Sequence, residues 1–126
     1  NHPSMPSVSS DKKLEEELLV LDRKFHAMTG QNMKYLRPPK GEYSERTLAI
    51  SHSLGYTTVF WSFAYVDSET DKQRGADYAY NQVMPYLHDG AILLLHAVSK
   101  DNAQALERII IDAKAQGYVF ASLDEL

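Results

Sequence analysis

Apolar residues return at helical spacing in four stretches of the chain, and the segments between them are short and rich in β-branched or aromatic residues. The first stretch carries Leu14, Leu18, Leu21, Phe25 and Met28. Ser10 and Asp11 suit its N-cap and first turn, and Gly30 its left-handed stop. It follows a Pro- and Ser-rich opening that reads as a loop. Residues 33–36 then predict a short strand, ended by Arg37-Pro38-Pro39-Lys40-Gly41, whose prolines forbid regular structure. Ser44 caps a second helix, apolar at Leu48, Ile50 and Leu54, that stops at Gly55. Residues 57–64 show little polar alternation, as in a strand covered on both faces. After a polar loop, a third helix is predicted over residues 76–87, distorted near its end by Pro85. His88-Asp89-Gly90 is turn chemistry, and residues 91–96 form a second buried strand. A fourth helix, capped by Ser99 or Asp101, turns Ala105, Leu106, Ile109, Ile110 and Ala113 inward before Gly117. Residues 118–122 make the last strand.

The fold class is therefore α/β, with four alternating helix-strand units and a parallel sheet built through right-handed crossovers. At 126 residues a single domain over residues 1–126 is expected, because two cores of half that size would each be marginal. Chemistry in such sheets gathers at the carboxyl ends of strands. The loops after Leu36, Ala64 and Leu95 should then share one rim, with Arg37, Asp67 and His96 converging on it.

Charge removes several functions from consideration. A formal net charge of −4, with lysines and arginines scattered among carboxylates, gives no basic stripe, so nucleic acid is not expected as a partner. The longest apolar runs are too short to cross a bilayer, and no basic-then-apolar leader opens the chain, which reads as soluble as written. Cysteine is absent, which excludes thiol nucleophiles, disulfides and thiolate metal sites and restricts any metal to His, Asp or Glu.

On the rim, Arg37 follows a strand directly, where a guanidinium can grip a carboxylate in two places, or can simply sit on the surface beside a rigid turn. Asp67 follows Trp61 in the second loop, and His96 ends an otherwise apolar strand. An Asp that takes one imidazole nitrogen leaves the other to act as a general acid. A satisfied histidine at a strand end is the plainer alternative. His26, His52 and His88 have no matched partner and read as solvated or packed, and Tyr78, Tyr80 and Tyr86 as packing residues.

Three segments taken together resemble the last three motifs of the polysaccharide deacetylase family with the NodB-homology domain: Arg37-Pro38-Pro39-Lys40-Gly41, Phe60-Trp61-Ser62 followed by Val66-Asp67, and Leu93-Leu94-Leu95-His96. Arg37 to Glu45 and His96 to Ala103 resemble in particular the branch that de-N-acetylates muramic acid during spore-cortex δ-lactam formation. The resemblance implies a distorted (β/α) barrel, of which this chain is the C-terminal, half-barrel-like portion. It also implies a divalent metal, usually zinc, held by one Asp and two His, with a second Asp as general base. Asn1-His2-Pro3 looks like the tail of the His segment, which makes His2 the second His ligand. The other ligands and the base would lie upstream, so this chain alone is not expected to bind metal stably.

By the same resemblance Arg37 orients the base, the backbone N–H near Lys40 helps bind the oxyanion, and Asp67 tunes His96, which protonates the leaving amine. The candidate catalytic residues are thus His96, Asp67 and Arg37, the substrate-binding ones Lys40 and Trp61, and the metal ligand His2. Two positions depart from the family: Ser68 stands where Trp is usual, which removes an aromatic wall of the groove, and Leu36 where this branch usually has Phe. The implied substrate is an N-acetylated glycan such as peptidoglycan, outside the cytoplasm or in the cell envelope. The expected reading is a fragment of a metal-dependent de-N-acetylase that is inactive alone. Two alternatives stand beside it: an isolated half-barrel that self-associates, or is completed by an N-terminal half, and a carbohydrate-binding module that has lost the chemistry.

Overall fold

A computed structural model describes residues 2–125 of the chain. It falls into two compact units, Asn1–Phe60 and Trp61–Leu126, each with its own apolar cluster. Among the described residues all pairing between strands is parallel, as the α/β alternation predicts.

In the first unit α1 spans Asp11–Thr29. The Ser10 hydroxyl accepts the N–H of Lys13 at its start, and at its end Gly30, at φ 73°, donates its N–H to the His26 carbonyl. β1 (Tyr35–Leu36) pairs with β2 (Thr57–Thr58) in the register Tyr35 to Thr57 and Leu36 to Thr58. Between them lies α2, Glu45–Ser53, whose cap Ser44 exchanges hydrogen bonds with Thr47 in a capping box. Leu14, Leu18, Leu36, Ile50, Tyr56 and Met5 form the core. Met5 belongs to a 3-10 turn, Met5–Ser7, in the opening segment, which Arg46 of α2 ties down through the carbonyls of Pro6 and Val8 while also bonding the Asp11 carboxylate at the start of α1. The helical stripe predicted for α1 is buried only at Leu14 and Leu18, whereas Leu21, Phe25 and Met28 are exposed, Met28 at 86%. Nineteen residues of helix span about 28 Å, and neither α2 nor two-residue strands are long enough to cover that length.

In the second unit β3 (Phe63–Ala64) pairs with β4 (Leu93–Leu94). α3 (Ala76–Val83) gives way at Met84–Tyr86 to a 3-10 turn containing Pro85, the distortion the sequence predicts. α4 spans Lys100–Ala115 with Ser99 as its cap. Ala79 and Val83 of α3 meet Ala105 and Ile109 of α4, with Phe63, Leu93 and Leu95 packed against them. Leu106, predicted to face inward, is 46% exposed.

The strands differ from expectation in three respects. Residues 57–64, predicted as one strand, contribute two separate ladders, β2 and β3. Only Leu93 and Leu94 of residues 91–96 are in a ladder, and both are half-buried rather than buried. Each described strand has one hydrogen-bonded neighbour, which leaves its other edge unpaired. Residues 118–122 form no ladder, and Val119 and Phe120 are exposed, because β propensity alone does not hold a strand that has no partner.

Candidate functional site

The second unit places Asp67 and His96 in the loops after β3 and β4, at the carboxyl end of that parallel pair. His96 Nδ1 lies 2.6 Å from Asp67 Oδ1, and the His96 backbone N–H donates to Asp67 Oδ2 at 2.7 Å. A carboxylate only accepts, so Nδ1 carries the proton and Nε2 is the nitrogen left for chemistry. The side chain of His96 is 40% exposed and that of Asp67 is 1%. A histidine that solvent can reach is thus held by a carboxylate that solvent cannot.

Asn102, in the first turn of α4, completes the arrangement. Its Nδ2 donates to Asp67 Oδ2 at 2.6 Å and to the His96 carbonyl at 3.3 Å, and its Oδ1 accepts the Tyr65 hydroxyl. Burial, the largest single influence on Asp67, pushes its carboxyl up. The His96 N–H, the Asn102 amide and the His96 ring together outweigh it and hold Asp67 below the ordinary carboxylate value. Burial, followed by the charges of Asp67 and Asp101, pushes the Tyr65 phenol up to about 12, which keeps it a donor. Asp101 accepts the Arg74 N–H at 2.6 Å, and its own N–H donates to Gln73 Oε1 at 3.0 Å. Both ends of the loop from Tyr65 to Gly75 are thereby fastened to the first turn of α4.

Sequence reasoning missed Asn102, Tyr65 and Asp101. Ser99 at a helix start was legible, and polar residues at positions two and three of that helix were the available hint that its first turn faces a polar site.

Arg37 and Lys40 belong to the first unit. Arg37 is exposed directly after β1, while Pro38 beside it is buried. Lys40 adopts φ 58°, ψ 4°, a left-handed conformation unusual for a lysine, and Gly41 follows at φ 72°. Two tight turns result, with the Gly41 N–H on the Pro38 carbonyl and the Glu42 N–H on that of Pro39. Leu36, one of the two departures from the family pattern, is buried in the first core at 8% exposure, and Ser68, the other, is exposed. Trp61 is half-buried in the second unit, and His2 is exposed. Asn1, read with His2, lies outside the described residues. Among the described residues no three His, Asp or Glu side chains gather to hold a metal ion, so these residues by themselves do not fit a divalent metal centre.

The sequence model of the polysaccharide deacetylase family matches residues 1–59. The peptidoglycan-N-acetylmuramic acid deacetylase PdaA of Bacillus subtilis is 45% identical over all of this chain and 48% of its own length. The solved structure of Bacillus subtilis PdaA, a family 4 carbohydrate esterase, superposes with a TM-score of 0.94 at 43% identity, covering 100% of this chain and 54% of that one. A Bacillus anthracis pseudoenzyme of the same esterase family, BA3943, superposes at 0.86 with 28% identity, over 100% of this chain and 43% of its own. The chain spans about half the length of the curated relatives it matches.

Proposed function

The chain belongs to the polysaccharide deacetylase family, and on that premise we propose that it is the C-terminal half of a peptidoglycan de-N-acetylase, carrying the acid side of the reaction. The carrying observation is the pairing of a buried Asp67 with an exposed His96 at 2.6 Å. Amide hydrolysis stalls unless the departing amine is protonated, because an amide anion is a very poor leaving group. Protonated His96 gives its Nε2 proton to the amine nitrogen as the carbon–nitrogen bond breaks, while Asp67 keeps the ring aimed and stabilises its charge.

Arg37 and Lys40 take their proposed parts from the family resemblance: Arg37 orients the general-base carboxylate, and the backbone N–H near Lys40 faces the oxyanion. The left-handed Lys40 supports that part, since a non-glycine residue held in strained backbone at a turn is a mark of functional loops. Trp61 is proposed to line the groove, and His2 to be one ligand of a divalent metal, zinc being usual for the family. With one such ligand and no base, the chain is proposed to be inactive alone. The substrate is proposed to be an N-acetylated glycan of peptidoglycan in the cell envelope; the Bacillus subtilis relative is named for deacetylating peptidoglycan N-acetylmuramic acid.

The test is a deacetylase assay on N-acetylated muropeptide oligomers with added zinc, run on this chain alone and after mixing with a polypeptide that supplies the family's upstream motifs. Release of acetate only on mixing, and its loss in His96→Ala, is the expected result. Turnover by the unmixed chain, or none in a mixture shown to form a complex, overturns the proposal.

A second reading is self-association. It is favoured by the two-stranded sheets, which leave every described strand with an unpaired edge. Sedimentation decides it, since a strictly monomeric chain at high concentration rules it out.

A further inference from the structure

The proposed acid pair leaves one contact unexplained. A carboxylate bound to an imidazole needs only one oxygen for the task, yet both oxygens of Asp67 are engaged, and Oδ2 receives two donors. The backbone N–H of His96 comes with the histidine itself. Asn102 is independent of it, reaching in from another element, and it is 6% exposed. We infer that Asn102, oriented by Tyr65, is a positioning residue of the acid, fixing the plane of the Asp67 carboxylate and thereby which nitrogen of His96 faces the leaving amine. The inference rests on the acid role proposed for His96.

The orientation of the Asn102 amide is set by its partners, because its two ends are nearly the same in shape. Nδ2 points at two acceptors, Asp67 Oδ2 and the His96 carbonyl, which tolerate an NH2 group and repel an oxygen. Oδ1 points at the Tyr65 hydroxyl, a group kept protonated by its surroundings. Every contact selects the same orientation. The backbone is fixed as well, because the Asn102 N–H donates to the Ser99 Oγ at the helix cap.

The consequence reaches His96. A carboxylate free to rotate about its Cβ–Cγ bond presents either oxygen, or neither, to Nδ1–H. Free neutral imidazole takes both tautomers, so a loosened Asp67 would let the proton move to Nε2, leaving Nδ1 rather than Nε2 as the nitrogen that takes up the next proton and breaking the contact that aims the ring. With Oδ2 held by Asn102 and the His96 N–H, Oδ1 stays on the ring. The ionisable groups around this network are Asp67 itself, Asp101 on α4 with the Arg74 N–H on its carboxylate, the phenol of Tyr65 from the end of β3, and the phenol of Tyr78 on α3, whose ring lies edge-on to Tyr65 at 6.0 Å. Arg74 lies over the Tyr78 ring at 4.7 Å.

The experiment uses the isotopically labelled chain and needs no turnover. Long-range proton–nitrogen spectra give the tautomer of His96, and the Asp67 carboxyl carbon gives its titration midpoint. In the wild type a single Nδ1–H tautomer is expected. In Asn102→Leu the Asp67 midpoint is expected to rise by about half a unit to one unit, the usual worth of one donor to a carboxylate, and His96 to show a mixture of tautomers. Tyr65→Phe is expected to move both readings the same way by less, and decides the matter should Asn102→Leu not fold. An unchanged Asp67 midpoint and a single His96 tautomer in a folded variant overturn the inference. Because neither readout depends on deacetylation, its failure is separable from failure of the acid role, which the assay with His96→Ala measures.

Discussion

Asp67 and His96 lie in loops 29 residues apart, and they meet twice, once ring to carboxylate at 2.6 Å and once backbone N–H to carboxylate at 2.7 Å. The double contact makes Asp67 a structural member of the loop after β4 as well as a partner of the ring. Removing it in Asp67→Ala takes the acceptor from the part-buried His96 N–H and the shorter of two acceptors from the Asn102 amide, at a cost of about 1–3 kcal/mol for a group left unsatisfied. Thermal unfolding should therefore show a fall in Tm of several degrees. His96→Ala, which removes only a ring 40% exposed, should cost much less. Equal losses from the two variants would show that the carboxylate does not anchor this loop.

Lys40 holds a left-handed conformation at φ 58° without the freedom of glycine, and its side chain is exposed. Lys40→Gly should stabilise the chain by about 0.5–1 kcal/mol, the net of relieved strain and the greater entropy lost by glycine on folding. Lys40→Val should destabilise it, because a β-branched side chain fits this region worst. Denaturant midpoints measure both. A less stable glycine variant would mean that the lysine side chain itself holds the turn.

The helix pair of the second unit gives a test of which face of α4 is inward. Ile109 is 2% exposed and packs with Ala79, Val83 and Ala105, whereas Leu106, on the predicted inner stripe, is 46% exposed. Ile109→Ala should cost about 2–5 kcal/mol, the usual range for a buried aliphatic truncation. Leu106→Ala should cost less than about 1 kcal/mol, since surface changes are normally small. A large loss at Leu106 would place that residue against apolar surface in solution and would favour self-association through α4.

The helices were legible because local chemistry marks many of their ends, although no side chain caps the start of α3. Ser10, Ser44 and Ser99 satisfy the first turns, Gly30 ends α1, and Pro85 ends α3, all through local chemistry. The strands were less legible because a strand exists only with its neighbour. Residues 57–64 and 118–122 have the same aromatic and β-branched character, yet only the first finds partners. Within the site, Asp67 and His96 could be placed on one rim from strand ends alone. Asn102 could not, because its contacts depend on how the first turn of α4 sits over a loop 35 residues away. The buried Tyr56 was equally hidden, as a tyrosine just after the glycine that ends a helix reads as a surface residue until its core is seen.

Acid should act on Asp67 in a defined direction. Its folded-state carboxyl lies below the ordinary value of 3.8, since the donors from His96 and Asn102 together outweigh the upward push of burial. A group depressed on folding adds stability that is fully present above its unfolded value and disappears as pH falls through its folded one. The contribution of Asp67 is therefore intact at neutral pH and erodes only below about pH 4. Asp67→Asn lacks that contribution at every pH, and its amide must also set a donor against the His96 or Asn102 donors. The stability gap between wild type and Asp67→Asn should narrow steadily below about pH 4, as wild-type Asp67 takes up its proton. Urea midpoints measured from about pH 5 downward test the sign directly, because a gap that widens over that range would mean that folding raises the Asp67 carboxyl rather than lowering it.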